Sequence, residues 1–125
     1  MIFEQFTYPY VRRNLRRRYP EKLGWRIHVK DDYRKSAPDF VVERVTRKGI
    51  IERVIVRVKK ATLLKRQHFD AINRYARIMT RGDMKIVNKI MVVPWGSRID
   101  EAPADVTIMK LRSFRCNGDR IIHEL

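Results

Sequence analysis

Between Pro38 and Lys60 apolar and polar side chains alternate with a period of two. Phe40, Val42 and Arg44 fall on one side of an extended chain and Asp39, Val41 and Glu43 on the other. After a basic turn, Val45-Thr46-Arg47-Lys48-Gly49, the residues Val54, Val56 and Val58 form a wholly apolar side opposite Ile55, Arg57 and Lys59. Two β-branched runs joined by a Gly-containing turn predict a hairpin. Past Lys60 the period lengthens to that of a helix. Leu64, His68, Ile72, Tyr75, Ala76 and Met79 make its inward stripe, Thr62 is placed to cap it, and Gly82 stands where a left-handed residue ends a helix.

The same reading orders the rest. Pro9 is welcome in a first helical turn, so a helix is predicted over about residues 9–18, with Val11 and Leu15 facing inward. Trp25, Ile27 and Val29 alternate with Arg26, His28 and Lys30, a half-buried strand that Asp31–Ser36 connects to the hairpin. Ile90–Val93 reads as a buried central strand and Val106–Leu111 as a last sheet strand, while the Asn117-Gly118 turn closes a terminal hairpin within residues 112–125. The expected architecture is one α/β domain over residues 1–125 with its core over 25–111. It has a central mixed sheet of about four or five strands, antiparallel at its first hairpin and flanked by two helices.

Charge changes the picture. The 29 Lys and Arg against 14 Asp and Glu give a formal charge of +15. Such a surplus repels itself unless the surface meets a polyanion, so nucleic acid is the favoured partner, ahead of an acidic protein or an anionic membrane. Arg12, Arg13, Arg16, Arg17 and Arg18 crowd one helix with no acid between them to pair with, and Arg74 and Arg77 add cations on the second helix. Lone Cys116 excludes an internal disulfide and fits a reducing cytosol. The absence of a long apolar run predicts an intracellular protein with no membrane span. The three histidines fall on separate elements, without spacing for a metal or a catalytic set.

The hairpin carries the candidate chemistry. A carboxylate is a hard oxygen ligand for a divalent cation, and an ammonium on the adjacent strand can steady charge developing on phosphorus. Pro38-Asp39, the hairpin spacer, and an apolar strand ending Arg57-Val58-Lys59 resemble the PD-(D/E)XK nuclease superfamily, whose motif is Pro-Asp followed by acid-any-Lys. The helix containing Gln67 to Arg77 is similar to the family's amphipathic helix. The resemblance spans about Trp25 to Ile108.

It implies a restriction-endonuclease-like core and a Mg²⁺- or Mn²⁺-dependent phosphodiesterase acting on nucleic acid, DNA favoured over RNA. Asp39 then matches the metal-binding aspartate and Lys59 the catalytic lysine. Enzymes of this kind often act as homodimers, for which the terminal hairpin or an edge strand would supply the contact. One position departs: Arg57 stands where the family has its second metal-binding acid, and a guanidinium repels a cation but can bind phosphate directly. Glu43 shares the side of Asp39 but lies roughly 13 Å along the strand. Glu4 would match an accessory acid. The alternatives are a catalytically inactive DNA-binding module of the same fold and a basic RNA-protein assembly component.

Overall fold

The structure, a computed structural model, describes residues 3–29, 38–118 and 120–123, with the side chains of residues 3–5 left out. The Asp31–Ser36 connection, Lys30 and the side chain of Glu4 lie outside the described residues. The first helix, α1, is Phe3–Arg18, so it begins a turn and a half before the expected start and carries Pro9 inside it. Proline removes one helical hydrogen bond. Aromatic packing around that point offsets the loss: Phe6 sets its edge against Phe114 with centroids 6.0 Å apart, Tyr8 meets Phe40 at 4.9 Å and Tyr10 meets Phe114 at 5.4 Å. Tertiary contact overrides local propensity here.

A 3₁₀ turn at Glu21–Leu23 ends on Gly24, whose φ of 91° is left-handed. Three antiparallel strands follow: β1 (Arg26–Val29), β2 (Phe40–Val45) and β3 (Ile51–Val58). The predicted hairpin is β2 and β3, with Arg44 opposite Glu52 and Glu43 opposite Arg53. Both cross-strand pairs are ionic, at 2.7 and 2.8 Å.

The next segment differs from expectation. Leu63–Leu64 is a short strand, β4, and the helix α2 begins only at Arg66 and runs to Met79. Thr62 does not cap it, because the backbone there is committed elsewhere: the Thr62 carbonyl accepts from Arg98 N–H at 2.8 Å, beside the parallel pairing of β4 with β6 (Arg98–Ile99). Lys65 stands at the N-cap instead. Phe69, absent from the predicted stripe, is buried with Ile72 and Ala76, while His68 is only half-buried. The C-cap is Thr80, and Gly82, with φ of 50°, belongs to the turn beyond it.

The long strand β5 (Met84–Trp95) exceeds its predicted length at both ends and β7 (Thr107–Asn117) at its C-terminal end, and β8 (Arg120–His123) returns antiparallel to β7 with Asn117 opposite Arg120. The sheet order is β1-β2-β3-β5-β7-β8, parallel at the centre and antiparallel at both sides. It is a mixed sheet of six strands rather than four or five, since the terminal hairpin joins the main sheet instead of standing apart. The β5–β7 register slips where Pro94, which has no N–H to give, meets Trp95.

Each face of the sheet has its own core. Phe40, Val42, Val54, Val56 and Val58 pack with Ile90, Val92, Leu111 and Phe114 beneath Val11 and Leu15 of α1. Ile55, Met91 and Val93 pack on the other face with Phe69, Ile72 and Ala76 of α2. The alternation read in β3 is therefore the alternation that builds both layers. Among the described residues no helix is long and apolar enough to cross a membrane.

α1 touches both β1 and β7. Those strands stand four places apart in the sheet order, about 19 Å if the sheet were flat, while a helix is about 10–12 Å across. The sheet curls round α1 to reach it from both sides.

Candidate functional site

Asp39 ends up buried, 5% exposed, just before β2 begins. Its Oδ2 accepts from the Val58 backbone N–H at 2.6 Å, standing in for the strand acceptor that would come next had β2 continued. Its Oδ1 accepts from the Tyr8 hydroxyl of α1. Backbone alternation assigns Asp39 to the α2 side, with Val41, but the two donors draw its carboxylate toward the α1 side at the strand end. Tyr8 packs against that same α1-face core.

Lys59 and Arg57 have different neighbours. Both lie half-buried at the end of β3, where Lys59 N–H continues the ladder to the Val92 carbonyl at 2.9 Å. Their charges act on His68 of α2, whose pKa is lowered first by burial and then by Lys59, Lys65 and Arg57. The His68 Nδ1 accepts from Lys65 N–H at 2.8 Å, satisfying one donor at the helix start and requiring that nitrogen to be unprotonated. Among the described residues no ion pair joins Asp39 to Lys59 or to Arg57.

The other proposed carboxylate, Glu43, is occupied: it pairs with Arg53 at 2.8 Å and approaches His28 Nε2 at 3.4 Å. Glu4 lies in the first turn of α1, and its side chain is not described. Among the described residues no group of three or more His, Cys, Asp or Glu is gathered as a cation site requires. Both oxygens of Asp39 already accept, one from a hydroxyl and one from a backbone N–H, and this arrangement does not fit a divalent metal.

The arginines separate into two groups. Arg12, Arg13, Arg16 and Arg17 form an arc over the outer side of α1, all exposed except half-buried Arg12, and none has an ionic partner among the described residues. Arg12 and Arg16 open on a cleft against β1, walled by Tyr19 and Trp25. Arg13 and Arg17 open on a second cleft, against β7 at residues 111–113. Both pairs also meet toward Tyr8 and Phe40, beside the Asp39 strand end. Arg74 and Arg77 are exposed on α2, over the opposite face, where they line a pocket with Asn73 and Lys89. That pocket contains compensation: Lys89 binds Asn73 Oδ1 at 2.8 Å and pairs with Asp105, whose pKa its hydrogen bond lowers.

Tyr8 escaped sequence reasoning because nothing in a chain separation of 31 residues announces its bond to Asp39. Lys89 escaped because it interrupts an apolar run; an isolated Lys there was itself a signal that a partner waits in the fold. Compared with protein-family models, curated proteins and solved structures, the chain matches none.

Proposed function

We propose that this protein binds nucleic acid, DNA in preference to RNA, through the arginines of α1, and that it is a nuclease-like α/β domain in which phosphate binding has replaced metal-dependent catalysis. The observation that carries the reading is the arc of Arg12, Arg13, Arg16 and Arg17, four cations without described acidic partners on a chain of charge +15. The state of Asp39 supports the second half. A carboxylate whose two oxygens serve Tyr8 and Val58 N–H acts as a structural acceptor, and Arg57 brings a cation to the position where the resemblance calls for an acid.

A second reading, an active nuclease, is favoured by the order of elements: helix, strand, hairpin, helix and parallel strand, with Pro38-Asp39 at the start of β2 and Lys59 just past β3. Incubation with plasmid, linear, branched and single-stranded DNA in Mg²⁺ or Mn²⁺ separates the two. We expect binding without cleavage. Cleavage that disappears in Asp39→Ala would establish the enzyme instead. Arg57→Glu restores the acid of the motif, and a gain in Mn²⁺ affinity by calorimetry would tie Asp39, Arg57 and Lys59 to a former metal centre; no gain means that the motif has been wrongly aligned. Absence of binding to any nucleic acid at low salt would end both readings.

A further inference from the structure

The placement of α1 suggests how many backbones it holds. Arg12 and Arg16 are four residues apart, as are Arg13 and Arg17, so each pair runs along one flank of the helix with its members about 6 Å apart along the axis. The curled sheet gives each pair its own cleft, one against β1 and one against β7, and the two clefts join toward Tyr8 and Phe40. A single strand tracking the β1-side or the β7-side cleft would leave the other pair of guanidinium groups without phosphates; only in the hollow toward Tyr8 and Phe40, which all four arginines line, could one strand reach both pairs. Two backbones held about a helix diameter apart would satisfy both.

We infer that α1 lies between the two phosphate backbones of a DNA duplex, with Arg12 and Arg16 on one strand and Arg13 and Arg17 on the other. The inference rests on the nucleic-acid-binding reading above and narrows it to a substrate class. An α-helix about 10–12 Å across matches the major groove of B-form DNA, which is about 12 Å wide. The major groove of A-form RNA is too narrow and deep for the same fit. Successive phosphates of one strand advance about 3.4 Å along the duplex axis, so an arginine pair reaches phosphates one or two steps apart. The β1-side wall is firm: Trp25 packs on Tyr19 at 4.9 Å and carries the Arg44 guanidinium over its ring at 4.4 Å.

The test is a salt titration of affinity by fluorescence anisotropy, using duplex DNA, duplex RNA and single-stranded DNA of one sequence. It compares the parent with Arg12→Ala/Arg16→Ala, with Arg13→Ala/Arg17→Ala and with the fourfold variant. On duplex DNA each pair should lower the slope of log affinity against log salt by about 1.8, and the fourfold variant by about 3.6. Each pair should weaken binding by tenfold or more, whereas on single-stranded DNA at least one pair should be nearly silent. Arg→Lys replacements at the same positions keep the charge, so they should keep the slope and report any folding defect. The inference is overturned if either pair leaves the duplex slope unchanged, if the Lys variants lose it, or if duplex RNA or single-stranded DNA binds as tightly as duplex DNA. Any of these outcomes with binding intact leaves nucleic-acid binding standing, although equal affinity for duplex RNA removes its preference for DNA; loss of all binding in the parent removes both.

Discussion

α1 and α2 cover opposite faces of one sheet by different means. α2 inserts Phe69, Ile72 and Ala76 deep into its layer, and Lys89 of β5 beneath it is paired with Asp105, although Arg74 and Arg77 on its own exposed side have no ionic partner among the described residues. α1 touches its layer along a narrower line, Val11 and Leu15, widened by the rings of Tyr8, Tyr10 and Tyr19. Everything else on its exposed arc from Arg12 to Arg17 is polar, mostly arginine, and has no ionic partner among the described residues. Where charge is balanced the fold accounts for it. Where it is left unbalanced, on a helix held by a slender apolar seam, the fold alone gives no reason for it, and the nucleic acid proposed above would neutralise it.

The comparison can be broken at several points. The largest effect should come from the cores: Phe69→Ala should cost about 3–5 kcal/mol and Leu15→Ala about 2–5 kcal/mol in denaturant unfolding. Under conditions where both remain folded, Phe69→Ala should leave DNA affinity unchanged and Leu15→Ala should weaken it by loosening α1. Equal effects on affinity would deny α1 its special role.

Next is the strand end. Asp39→Ala leaves the buried Val58 N–H without an acceptor and should destabilise by about 1–3 kcal/mol, with Tyr8→Phe costing about 1 kcal/mol and the two effects less than additive in a double-mutant cycle. A neutral Asp39→Ala would show that the carboxylate is held for chemistry and not for structure.

The smallest effect is at the start of α2. The pKa of His68 is lowered in the folded state, by burial first and then by Lys59, Lys65 and Arg57, so the unfolded chain binds the proton more readily. Stability is therefore full above the ordinary imidazole value of 6.5 and falls as pH drops through the lower folded value. Protonation at Nδ1 would also remove the acceptor for Lys65 N–H. Urea unfolding followed from neutral to mildly acid pH should show this loss, and His68→Gln should flatten it; an unchanged profile would place the titration elsewhere.

Much of the fold is legible in the chain because burial enforces the period of two. The alternation of Val54, Val56 and Val58 with Ile55 predicts that they point to opposite sides of the strand, and the wholly apolar side is buried, against α1, while Ile55 joins the layer under α2. Element boundaries are less legible. Pro9 argues locally for a helix start, but Phe6, Tyr8 and Tyr10 find partners on β2, β7 and β8 that carry the helix back to Phe3. Thr62 looks like a cap until Arg98, far along the chain, takes its carbonyl. In each case the deciding energy is a contact with a distant residue, which no local window contains.

The sequence by itself determined the hairpin, the two layers, the excess of cations and their concentration on α1, because alternation, helical spacing and net charge are properties of neighbours in the chain. Only the tertiary structure decided which way the Asp39 carboxylate turns, since Tyr8 reaches it from another element. It also decided that the two arginine pairs open on different clefts against β1 and β7, joined toward Tyr8 and Phe40, since β1 and β7 both meet α1. Curl and cross-element hydrogen bonds arise from the packing of the whole chain, and the separation of the two arginine pairs comes with them.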